Sequence, residues 1–114
     1  MTFAEVVAAI GGKMVVLTET ADRKVRHVVG SDLMSDVLLV DEDDMMLLTS
    51  LASDQVLRTA QIVGATGVVI VNDKPVPDSM ADVARELGLS LATSNLSKYE
   101  GCVAVYKALN GITT

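Results

Sequence analysis

The stretch GSDLMSDVLLVDEDD, residues 30–44, holds six carboxylates and no basic side chain. Two serine-aspartate pairs, Ser31-Asp32 and Ser35-Asp36, stand four residues apart, and the run closes on Asp41, Glu42, Asp43 and Asp44. Carboxylates gathered this way do one of three things: hold a hard cation, take part in acid-base chemistry, or sit on a solvated surface. The apolar residues Leu33, Met34, Val37 and Leu38 fall at helical spacing, so a helix is expected from Ser31 to about Leu39. On it Asp32 and Asp36 share a face with their Cβ atoms about 5 to 6 Å apart. Asp32 then belongs to the first turn, where the helix dipole favours a negative charge. Two carboxylates supply fewer oxygens than a calcium or magnesium site uses, and no central glycine or distal glutamate completes an EF-hand loop, so no metal site is expected. Residues 41–44 are expected to form a solvated turn.

Other reactive side chains are scarce. His27 and Cys102 each occur once, which leaves no internal disulfide, no multi-thiolate zinc site, and His27 with Cys102 as the one conceivable dyad. Cys102 stands in CVAVYKAL, an apolar run in which a small buried thiol is the ordinary occupant. No G-x-x-x-x-G-K-[ST] phosphate loop is present, and Gly11-Gly12 precedes a strand rather than a helix. No catalytic residues and no cofactor are therefore assigned, and the chain is not expected to be an enzyme.

The 114 residues carry a formal net charge of -6, and residues 27–57 hold seven acids with no Lys or Arg, so the rest of the chain is close to neutral. That balance disfavours nucleic acid, whose phosphates need a basic surface. The short basic cluster Arg23, Lys24 and Arg26 reads as a solvated turn. No apolar run approaches the roughly 18 residues of a membrane span, and no secretory leader opens the chain. A cytoplasmic protein with no membrane association is expected.

Three short apolar runs, MMLLT (45–49), GVVIV (67–71) and SLAT (90–93), recur at nearly constant spacing. Their unbroken hydrophobicity predicts strands covered on both faces, as in a parallel sheet with crossover helices. Between the first two, Ser53 caps a helix with Val56, Leu57, Ala60 and Val63 inward and Gly64 as its stop. Between the second and third, Asp78 caps a helix with Met80, Val83, Ala84 and Leu87 on one face, ended by Gly88. Ser97 and Glu100 form a capping box for a last helix, as Thr2 and Glu5 do for a first that ends at Gly11-Gly12. A strand follows at Met14–Leu17; KVRHVVG fits a strand or an extended connector. No linker composition divides residues 1–114, which are read as one domain.

VVGSDLMSDVLLV, GATGVVIVNDKPVPDSMADVARELGLSLATS and LSKYEGCVAVYKAL together resemble the DRTGG domain, a family similar to the amino-terminal domain of HPr kinase/phosphorylase. The resemblance spans roughly residues 6–109. It implies a three-layer α/β/α domain with a mostly parallel sheet, like the HPr kinase N-domain, found alone or beside CBS domains and ATP-dependent enzymes, with no catalytic activity assigned. The Thr-Gly-Gly that names the family belongs at the end of the central strand, where this chain has Val71, Asn72 and Asp73.

A parallel sheet binds ligands beyond the carboxyl ends of its strands, which here read TSLAS, VNDKP and TSNLS. Ser50, Asn72, Lys74, Thr93 and Ser94 are expected on that one edge, with Ser31 and Asp32 joining them from the acidic stretch as candidate ligand-binding residues. Lys74 and the helix amino termini suit a small anionic ligand, a nucleotide or a phosphorylated metabolite. The expected function is a noncatalytic regulatory or ligand-sensing module. The alternative is a dimeric adaptor that docks on a partner enzyme without a ligand of its own. A homodimer is expected in either case, since six methionines, Met34, Met45 and Met46 among them, suit an adaptable contact surface as well as a core.

Overall fold

A computed structural model describes residues 1–112. In chain order the elements are α1 (Phe3–Ala9), β1 (Lys13–Val16), a 3-10 turn (Glu19–Asp22), β2 (His27–Gly30), α2 (Met34–Val37), β3 (Met45–Thr49), α3 (Asp54–Ile62), β4 (Gly67–Ile70), α4 (Asp78–Leu87), β5 (Leu91–Thr93) and α5 (Lys98–Leu109). KVRHVVG thus contributes a strand. One five-stranded sheet runs β1-β5-β4-β3-β2, with β2 to β5 parallel and β1 antiparallel on the edge beside β5. This is an α/β fold with a mostly parallel sheet between two helical layers.

From β2 to β5 each strand is added next to its predecessor, in one direction across the sheet. Right-handed crossovers then put α2, α3 and α4 on the same face. The pleat sorts the strand residues accordingly. Met45, Leu47, Val68, Ile70 and Leu91 pack with Met34, Val37, Val56, Leu57, Ala60, Met80 and Ala84 from those helices. Met46, Leu48, Val69, Val71 and Ala92 face the other way, onto Phe3, Val6 and Val7 of α1 and Val105 of α5. β3 and β4 are buried along their whole lengths, which is why their sequences do not alternate.

The expected caps divide into two groups. Both capping boxes form: Thr2 with Glu5 at α1, and Ser97 with Glu100 at α5. Gly64 and Gly88 end their helices at φ of 71° and 67°, a left-handed geometry that glycine adopts without strain. Ser53 occupies the cap position of α3, yet its hydroxyl makes no hydrogen bond, and at α4 the cap is Pro77, with Asp78 the first helical residue. β1 begins and ends one residue earlier than expected.

Close approach of the helical layer depends on two glycines. Gly67 opens β4 beneath the fully buried ring of Phe3, and Gly101 lets α5 settle onto Val71 and Leu48. Gly30 similarly leaves room for the Cys102 sulfur. At the amino end of β5, the hydroxyls of Thr18, Thr20 and Ser90 bond one another at 2.9 to 3.0 Å and tie the 3-10 turn to the sheet.

The acidic stretch departs most from expectation. Its helix is only Met34–Val37, with Leu33 at the cap and Leu39 exposed, so Asp32 stands outside the helix and shares no helical face with Asp36. Asp41, Glu42 and Asp43, and Arg23, Lys24 and Arg26, are exposed as expected, but the two segments also pair with each other and with His27. Asp44, at a left-handed φ of 55°, lies 2.8 Å from Arg23 and 3.3 Å from Arg26, and Glu42 lies 3.1 Å from His27. Parallel pairing of His27 with Met45 brings the two clusters together at the amino ends of β2 and β3.

Candidate functional site

All seven candidate residues lie at or just beyond the carboxyl ends of β2 to β5, but six of them separate into two groups, with Asn72 in neither. At the ends of β2 and β3, Asp32 acts as an acceptor hub. Its Oδ1 accepts from the Thr49 hydroxyl at 2.8 Å and the Ser50 N–H at 2.7 Å; its Oδ2 accepts from the Ser50 hydroxyl at 2.6 Å and Lys98 Nζ at 2.5 Å. Partial burial pushes this carboxyl up, but Lys98, Ser50 and Thr49 together hold it well below the usual carboxylate range. Both oxygens face N–H and O–H donors, so Asp32 is already engaged as an internal anion. Ser31 turns its hydroxyl to the Leu33 N–H at 3.1 Å, shaping the turn into α2. Among the described residues no three His, Cys, Asp or Glu side chains gather as a metal centre would need.

Lys74, Thr93 and Ser94 form the second group, at the ends of β4 and β5. With Gly11, Lys13, Asp73 and Asn95 they line a cleft of about 220 Å³. Asn95 lies in TSNLS, one of the loops expected at this edge, although it was not singled out; Lys13 had no signal in the sequence that would place it there. Lys13 arrives because β1 runs antiparallel to β5, setting it opposite Thr93, and Gly12 permits the close approach: a Cβ there would lie 2.9 Å from the Thr93 carbonyl oxygen. Lys13, Lys74 and Asp73 make no ion pair among the described residues, whereas Arg23, Arg26, Arg85 and Lys98 each have one.

The wall of the cleft is held by unusual backbone. Asn72 and Asp73 both adopt left-handed φ, 68° and 54°. Asn and Asp tolerate that region better than other side chains that carry a Cβ. The turn's N–H groups are engaged: Asn72 donates to the Leu96 carbonyl at 2.7 Å and Asp73 to that of Ser94 at 3.0 Å. Those bonds stitch the β4–α4 loop to the β5–α5 loop, and the Ser94 hydroxyl reinforces the second loop by accepting from the Leu96 N–H at 3.1 Å. Asn72 is thus a scaffold residue at this edge and does not line the cleft. Four residues beyond Ser94, Lys98 opens α5 and reaches Asp32, so the segment from Ser94 into α5 borders both groups.

The fold and the position of the cleft define the class: an α/β domain with its candidate site at the carboxyl edge of a mostly parallel sheet. The fold is DRTGG-related. It matches the crystal structure of the CBS and DRTGG domains of the regulatory region of Clostridium perfringens pyrophosphatase, complexed with its activator diadenosine tetraphosphate, with a TM-score of 0.72 and 8% sequence identity over 99% of this chain. The chain spans 50% of the length of that structure. No family model matches the sequence, and no curated protein matches it.

Proposed function

We propose that the protein is a noncatalytic regulatory module that senses a small anionic ligand in the cleft between Lys13, Lys74 and Asn95. The observation that carries this reading is two lysines that make no ion pair among the described residues, beside a polar concavity at the sheet edge. The likeness to a regulatory region that binds a nucleotide activator supports it. Phosphorylated compounds should raise the thermal midpoint, because whatever binds only the folded state stabilises it. Each charge-assisted hydrogen bond is worth about 1.5 to 3 kcal/mol, so Lys74→Ala should weaken an anionic ligand roughly tenfold or more. Its unliganded midpoint should stay close to that of the native protein, since an exposed lysine without a partner contributes little to stability. An unchanged affinity in the variant would remove Lys74 from the site.

A second reading, a dimeric module docking on a partner enzyme, is favoured by the apolar side chains around the edge strand β2. Val28, Leu33, Leu38 and Leu39 are exposed on and after it, and Tyr99 and Tyr106 are exposed on α5, whose Cys102 packs on Gly30. Light scattering at micromolar concentration is expected to give twice the 12.0 kDa chain mass. A monomer mass would dismiss the homodimer.

A further inference from the structure

Resting on the anion-cleft reading, we infer that the preferred ligand is a hydroxylated phosphate monoester of sugar-phosphate size, recognised without contact to a base. Three observations lead there. First, the cleft carries charges of both signs. Lys13 and Lys74 suit a phosphate, but Asp73 would repel a bare one unless the ligand also brought hydrogen-bond donors for its carboxylate. Sugar hydroxyls are such donors, and Asn95 and Thr93 can bond further ones. Second, about 220 Å³ lies below the roughly 300 to 1,000 Å³ of pockets that enclose drug-sized ligands, which leaves room for a sugar phosphate and little more. Third, the lining is Gly11, Lys13, Asp73, Lys74, Thr93, Ser94 and Asn95, with no aromatic or aliphatic face on which a purine could stack.

Asp73 makes the inference testable because its backbone conformation allows its side chain to be removed cleanly. At a φ of 54°, glycine keeps the turn without strain, so Asp73→Gly deletes the carboxylate while preserving the wall. Calorimetric titrations of the native protein with inorganic phosphate, ribose 5-phosphate and AMP are the first arm. Ribose 5-phosphate should bind at least tenfold more tightly than inorganic phosphate, and AMP no more tightly than ribose 5-phosphate. In Asp73→Gly the two responses should cross: ribose 5-phosphate weakens about tenfold as its acceptor is lost, while inorganic phosphate tightens at least twofold as a like charge is removed. Asp73→Asn, which keeps the left-handed turn and one acceptor oxygen while removing the charge, should show the same crossing to a smaller degree. AMP binding tenfold more tightly than ribose 5-phosphate would overturn the assignment by revealing a base contact. Inorganic phosphate binding as tightly as ribose 5-phosphate, or both moving together in the variants, would overturn the role of Asp73 and leave the anion cleft standing. If none of the three probes bound, the anion cleft itself would fall, and this inference with it.

Discussion

Gly67→Ala is expected to destabilise the protein by about 3 kcal/mol, the upper part of the range for overpacking a tight core. A methyl group there would stand 2.5 Å from Cζ and 2.7 Å from Cδ1 of Phe3, whose ring is fully buried between α1 and the sheet. The ring has no exposed side to move toward, so strain must spread into α1 or β4. Denaturant unfolding should show a lower midpoint with an unchanged slope. Phe3→Leu alone should also destabilise, by leaving a cavity. Combined with Gly67→Ala it should cost at least about 1 kcal/mol less than the sum of the two, because the smaller side chain clears the space that the methyl needs. Strict additivity would mean that the two residues do not compete for one volume.

Asp32→Asn is the second change with a large expected effect, about 1 to 2 kcal/mol near neutral pH. The amide nitrogen it introduces is a donor facing donors, since Asp32 now accepts from Thr49, Ser50 and Lys98. The figure is kept modest because the Asp32 and Lys98 side chains are 41% and 35% exposed, so solvent screens their attraction. Hydrogen bonds from these donors, stronger than the opposing effect of burial, set the folded-state pKa of Asp32 below its unfolded value. Its stabilisation is therefore complete above the ordinary carboxylate pKa of about 3.9 and is lost progressively as pH falls below it. The gap between the native protein and Asp32→Asn should be constant from pH 7 to about 5 and narrow below about 4. A gap that kept its full width down to pH 2 would show that the carboxylate charge contributes nothing.

The same residue shows where the sequence stops being legible. Leu33, Met34, Val37 and Leu38 have helical spacing, but the helix is only Met34–Val37, and before it Asp32 is drawn to Thr49, Ser50 and Lys98, partners that no local pattern identifies. Strands β3 to β5, the capping boxes and the glycine stops were readable because each is encoded within a few neighbouring residues. The antiparallel placement of β1 was not, since it depends on which distant edge accepts the strand, and with it went the presence of Lys13 in the cleft. The pairing of Asp44 with Arg23 and Arg26 was hidden for the same reason. The left-handed turn at Asn72-Asp73 did carry a local signal, the preference of both residue types for that backbone.

The antiparallel seam between Lys13 and Thr93 also has a consequence for the order in which the molecule is assembled. Strands β2 to β5 each meet a sequential neighbour and can zip one after another, whereas β1 must wait for β5, the last strand made. The cleft is bounded on one side by Gly11 and Lys13 and on the other by Thr93 to Asn95, so it does not exist until this late closure. An occupant is then a clasp between near-opposite ends of the chain: by linkage, it must favour the docked state of α1 and β1 over any state in which that segment has peeled away.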